Sequence, residues 1–177
     1  MIYTVEQCIN EPVSEAEWNQ WSSEMKPVPM LMAVQGFTSA QRFKGLNDEK
    51  APSIAVYSIV SADVLTSDDY FKNAKGGNLG SPRWKPRLKY WNRNLFDGLD
   101  QAPAVPMDSI LVTMDADQPD ATLGDVRVTW LECVGLDRTT PYRGIAVLSR
   151  AQAEPYMTDR RPGLLVYKPL AEISLKA

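Results

Sequence analysis

The chain has 177 residues, 44% hydrophobic and 23% charged, with a formal net charge of -3, two cysteines and no histidine. A chain of this size buries roughly 70% of its unfolded surface, enough for a core without disulfide or metal staples. With no histidine, Ser-His-Asp and Cys-His nucleophile systems are excluded within the chain, as are imidazole-ligated zinc and haem.

Ile2, Tyr3, Val5 and Ile9 are β-branched or aromatic and end at Asn10-Glu11-Pro12, so residues 2–9 read as a first strand. Ser14-Glu15-Ala16-Glu17 forms a capping box, with Val13 and Trp18 in the positions of a hydrophobic staple. Trp18, Trp21 and Met25 recur at helical spacing and give one apolar face, and Lys26-Pro27-Val28-Pro29 is expected to stop that helix. Residues 32–44 read as extended, with Gly36 at a bulge or close approach, and residues 53–60 as a strand. Asp63 and Ser67 offer caps to short helical turns carrying Val64, Leu65, Tyr70 and Phe71, ended by Gly76-Gly77. Leu88 to Phe96 closes a β-α-β-β-α-β series, the ferredoxin-like arrangement.

After the joint Ala102-Pro103-Ala104-Val105-Pro106, strand patterns recur over residues 110–114, 126–134, 144–149 and 164–170, with a short helix around 151–156. Asp115 to Gly124 is too short and too rich in Pro and Asp for a long helix. The expected class is therefore α+β: tandem ferredoxin-like units over residues 1–101 and 107–177, the second a degenerate copy packed on the first. Cys8 and Cys133 are far apart in hydrophobic-alternating segments and read as reduced, packed thiols of a cytoplasmic protein. The N-terminal residues lack the pattern of a signal peptide, and no apolar run reaches the length of a membrane span.

Residues 14–57 carry a family resemblance. The run from Glu17 through Pro29, followed by Val34-Gln35-Gly36-Phe37, Ala40-Gln41-Arg42-Phe43 and Ile54-Ala55-Val56-Tyr57, resembles the EthD-like branch of the dimeric α/β-barrel superfamily. Lys26 stands where that family keeps a histidine, and Gln35 where it keeps a proline. The resemblance implies four-stranded antiparallel sheets with helices on one face, paired sheet to sheet into a barrel, and a homodimer. It also implies binding of a small organic ligand, partly apolar or aromatic and acidic, with cofactor-free isomerase, lyase or oxygenase chemistry as candidate activities, in a superfamily that includes isomerases, cofactor-free monooxygenases, haem-dependent enzymes and many proteins without a known activity. No cofactor or metal and no membrane partner is expected. The alternative is a non-catalytic interaction or oligomerisation protein.

The resemblance brings five candidate binding residues together: Trp18, Trp21, Lys26, Arg42 and Tyr57. The indoles could line an apolar pocket or simply pack in the core. Lys26 could meet a carboxylate or enolate, or stabilise a helix C-terminus. Arg42 could orient a carboxylate or form a structural ion pair. Tyr57 could donate a phenolic hydrogen bond or pack. Glu132 shares a strand face with Val126, Val128, Trp130 and Val134, as a general base or as an exposed or Arg-paired acid. Asp115, Asp117, Asp120 and Asp125 lack the spacing of a calcium loop. Between Asp69 and Asp97 lie seven basic residues interleaved with Trp84, Tyr90, Trp91 and Phe96, a pattern that could meet an anion. The acidic pI and the lack of an RNP-type motif disfavour nucleic acid.

Overall fold

The computed structural model describes residues 1–9, 15–25, 27–47, 53–74 and 84–176. In chain order these form β1 (Ile2–Ile9), α1 (Glu15–Gln20), a π-helical turn (Trp21–Met25), α2 (Pro27–Ala33), β2 (Phe37–Gly45), β3 (Ser53–Ile59), a 3-10 turn (Ala62–Thr66) and α3 (Asp68–Ala74). After a short 3-10 turn (Lys85–Arg87) come β4 (Leu88–Asp97), β5 (Ser109–Ala116), β6 (Thr129–Leu136), β7 (Tyr142–Ser149), α4 (Arg150–Met157), β8 (Leu164–Pro169) and β9 (Ser174–Leu175).

The strands β1 to β8 run in the order β3-β1-β4-β6-β7-β5-β8-β2, and β2 pairs back onto β3, so they close into one antiparallel barrel. Strand β9 continues the β2 edge beside β8, pairing with Ser39 and Ala40. This corrects the expected tandem of α+β ferredoxin-like units. The chain is mostly sheet with four short helices among the described residues, and the halves do not form separate packed sheets. Their edges are hydrogen-bonded to each other, β4 to β6 through Asn94–Asp97 and β2 to β8 through Phe43–Gly45. An edge strand leaves a row of unpaired amides and carbonyls, and mutual pairing satisfies both rows at once.

Barrel closure explains why the strands alternate so weakly in hydropathy. β1 is buried on both faces, because Ile2, Thr4 and Glu6 point into the lumen while Tyr3, Val5 and Gln7 meet the helical layer outside. Three clusters result. One lies between α2, α3 and the outer face of β1–β3, around Phe37 and Tyr57. A second fills the lumen around Phe96, Phe43 and Leu131. The third lies under α4, where Ala153 packs on Val112 and Val166.

The helix expected to end at Lys26-Pro27-Val28-Pro29 continues differently. Pro27 opens a new helix, α2, whose first turn tolerates Pro27 and Pro29 because first-turn amides have no intrahelical partner. Extended structure therefore begins at Phe37, after Gly36. Gly36 has φ +93°, and a Cβ there would stand 2.4 Å from Val64 Cγ2, so this turn requires glycine. Ser67 accepts the amide of Tyr70 and caps α3, and Ser149 forms a capping box with Gln152 at α4. Ser14, Val13, Gly76 and Gly77 lie outside the described residues. Cys8 and Cys133 are both buried, and no disulfide joins them.

Candidate functional site

The helical layer over β3-β1-β4 does not seal the sheet completely. A narrow cleft, open to solvent at one side, lies between α1, the π turn and α2 above and the outer face of those strands below. Its floor is alternate residues of adjacent strands: Tyr3, Val5 and Gln7 from β1, Ala55 and Tyr57 from β3, and Trp91 from β4. Trp18, Trp21, Ser22 and Leu31 form the roof, and Lys85 stands at the rim.

Trp18 and Trp21 line one wall, and the buried Trp84 packs against both. The Trp18 ring lies 5.1 Å from Trp21 and 5.4 Å from Trp84, and Trp21 and Trp84 are 5.9 Å apart. Such tilted and edge contacts are the favoured geometries for aromatic pairs. The π turn beginning at Trp21 locally widens the helix, a feature frequent at functional sites. Trp18 is buried, yet its indole Nε1 has no acceptor among the described residues. A buried donor without a partner costs about 1–3 kcal/mol, and this one is out of reach of solvent.

Arg42 does not line this cleft. Its guanidinium donates to the Asn19 carbonyl (2.9 Å), Asn19 Oδ1 (3.0 Å), Ser23 Oγ (3.1 Å) and Ser53 Oγ (3.1 Å). It therefore ties the segment carrying Trp18 and Trp21 to the β2–β3 sheet. Burial lowers its pKa to about 10, which leaves it charged at neutral pH. Of the five candidates, Trp18, Trp21 and Tyr57 meet at the cleft, Arg42 stands behind it, and Lys26 lies outside the described residues.

Tyr3 and Tyr57 stack at 5.6 Å in the cleft floor. Burial is the main cause that raises both phenols above the ordinary tyrosine range; the neighbouring Tyr70 adds to it, while Arg93 opposes it at Tyr3 and Arg42 at Tyr57. Both remain neutral donors at pH 7. A raised folded-state pKa means that the folded protein holds protons the unfolded chain releases above about pH 10, so stability falls as pH rises beyond that point. Alkaline unfolding followed by tyrosinate absorbance should show these two phenols ionising only with loss of the fold. Tyr57→Phe should unfold at higher pH, and unchanged alkaline behaviour would contradict the burial argument.

The cleft has no carboxylate among its described lining residues. Its neighbourhood is cationic: besides Lys85, Arg87 lies over the Trp84 ring at 5.8 Å and Arg93 over Trp91 at 5.6 Å. The basic and aromatic stretch from Asp69 to Asp97 thus lies partly against this site, while Lys75 and Arg83 fall outside the described residues. Glu132 is exposed, on the outer face of β6. Asp115 is paired with Arg143, and among the described residues no cluster of acids or cysteines could hold a metal ion. Sequence reasoning missed Tyr3, Gln7 and Trp91 as cleft residues, although strand alternation carries that signal.

No family model matches the chain, and no curated protein matches it. Among solved structures, its fold is similar to that of a protein described as anthrone oxidase-like. The TM-score is 0.60 at 10% identity, and the match covers 99% of this chain and 92% of that one. At this identity the likeness concerns the fold alone. No described helix is long and apolar enough to cross a membrane.

Proposed function

We propose that the protein binds a flat, partly aromatic small molecule bearing a carbonyl or acidic oxygen in the cleft beneath α1 and α2, as in the EthD-like reading of its sequence. The observation that carries this is the pair of indoles, Trp18 and Trp21, lining a cleft with a cationic rim. The rings supply flat apolar contact, Trp18 and the neutral phenols of Tyr3 and Tyr57 are donor-bearing groups of its walls, and Lys85 adds positive charge.

Such an environment favours the enolate or phenolate form of a bound acid over its neutral form. Isomerases, lyases and cofactor-free oxygenases that begin from a substrate carbanion need this stabilisation, and the anthrone oxidase-like structural neighbour is consistent with that class. The described walls contain no histidine or carboxylate to act as base, so the chemistry they support is anion stabilisation.

Titration with anthrone and with aromatic and aliphatic carboxylates, followed by tryptophan fluorescence and calorimetry, tests the reading. Saturable binding of an aromatic ligand is expected, weakened at least about tenfold by Trp21→Ala with little change in melting temperature. A flat response across the panel, or an affinity indifferent to Trp21→Ala, would refute it.

A further inference from the structure

The floor and the roof of the cleft each carry one polar side chain that the protein itself leaves unused. Gln7 follows Tyr3 and Val5 on the outer face of β1 and lines the cleft, although it is only 9% exposed. Its cross-strand neighbours are Ser53 on β3 and Trp91 on β4. Ser53 Oγ accepts from Arg42 Nη2 (3.1 Å), and among the described residues the Gln7 carboxamide has no hydrogen-bond partner.

Ser22 repeats the pattern in the roof. It follows Trp21 in the π turn, is 3% exposed and lines the cleft, whereas the adjoining Ser23 Oγ accepts from Arg42 Nη1 (3.1 Å). The Ser22 hydroxyl has no partner among the described residues either. Neither group is sealed in: Trp18 Nε1 is a buried atom that solvent does not reach, while the polar atoms of Gln7 and Ser22 keep contact with the open side of the cleft.

A buried polar group that lacks a protein partner is satisfied only by water or a ligand, and a few such groups in otherwise apolar walls are what orients a bound molecule. The chemistry of these two differs from that of the rim. Lys85 only donates, whereas a carboxamide offers two N–H donors and a carbonyl acceptor, and a serine hydroxyl both donates and accepts. An oxygen anion pairs with the donors alone and leaves Gln7 Oε1 without a partner. A ligand with an N–H beside its carbonyl pairs with both ends of the carboxamide at once.

Building on the cleft as the binding site, we infer that Gln7 and Ser22 are its specificity-determining residues, and that the ligand they select presents the N–H and carbonyl edge of a cyclic amide. A site that hydrogen-bonds a donor discriminates strongly against the analogue lacking it, because its own buried group is then left unpaired.

The experiment compares 2-pyridone with N-methyl-2-pyridone, single rings suited to a narrow cleft, and with benzoate, which has the carboxylate but no donor. Binding is followed by tryptophan fluorescence and by methyl NMR of Val5 and Leu31, on the wild type, Gln7→Met, Ser22→Ala and Trp21→Ala. Gln7→Met keeps the length of the side chain, and both it and Ser22→Ala remove an unpartnered polar group, so neither should melt below the parent. The wild type should bind 2-pyridone at least about tenfold more tightly than its N-methyl analogue, and the ratio should fall to about one or two in Gln7→Met. Ser22→Ala should lower the same ratio by about threefold or more, and it decides the matter if Gln7→Met proves unstable. A ratio unchanged in a folded Gln7→Met, or benzoate preferred to 2-pyridone by the wild type, would overturn the proposal while leaving the cleft as a binding site. Loss of all binding, benzoate included, or affinities untouched by Trp21→Ala, would remove the cleft reading and this inference with it.

Discussion

Arg143→Met should destabilise the protein by about 3–5 kcal/mol, the usual cost of breaking a buried ion pair on one side. The guanidinium is almost fully enclosed, with Phe96 at 5.2 Å on its ring face and Glu6 and Asp115 on its edges. Burial opposes its charge, but the two carboxylates outweigh that penalty and hold it more firmly protonated than usual. Removing it leaves Glu6 buried beside a second carboxylate with no cation between them. For a chain of this length the loss corresponds to a melting temperature roughly 10 °C lower. Urea denaturation measures it directly, and adding Glu6→Gln to Arg143→Met should recover part of the loss. A single variant within about 1 kcal/mol of the parent would show that water at the barrel mouth replaces the guanidinium at little cost.

Arg42→Met should cost about 2–4 kcal/mol and weaken ligand binding at the cleft, although Arg42 touches no part of it. The fork makes four hydrogen bonds to Asn19, Ser23 and Ser53, so its loss frees the helical segment bearing Trp18 and Trp21. Arg42→Lys should not rescue, since a point ammonium cannot reproduce a planar fork. The readout specific to positioning is the circular dichroism of the coupled indoles, which depends on the 5.1 Å Trp18–Trp21 geometry. That signal should collapse in Arg42→Met under conditions where the protein is still folded. A variant that is less stable yet keeps both the indole signal and the ligand affinity would reduce Arg42 to a general stabiliser.

The local elements were largely legible. Every described strand from β1 to β8 overlaps a run of β-branched or aromatic residues bounded by turn chemistry, and α4 falls where a short helix was expected. The Pro27-Val28-Pro29 run reads as a stop because proline breaks helix interiors; its placement in a first turn depends on where the new helix begins, which the layer above β1 and β3 decides. Trp18, Trp21 and Tyr57 were found through a resemblance and do meet at one cleft. Trp84 could be placed against them only once the tertiary structure brought the segment before β4 beneath α1.

The amino-acid sequence by itself determined the strands, the reduced cysteines and, through the lack of histidine, the exclusion of imidazole chemistry. These depend on side-chain type and near-neighbour spacing, which a linear reading contains. The tertiary structure alone decided that β2 pairs with β8 and β4 with β6, turning an expected pair of packed units into one closed barrel. It also decided that Arg42 is a clamp and that Arg143 bridges two acids across the lumen. Backbone pairing between edges and contacts across a lumen join residues far apart in the chain, and no local pattern encodes which distant edge satisfies which.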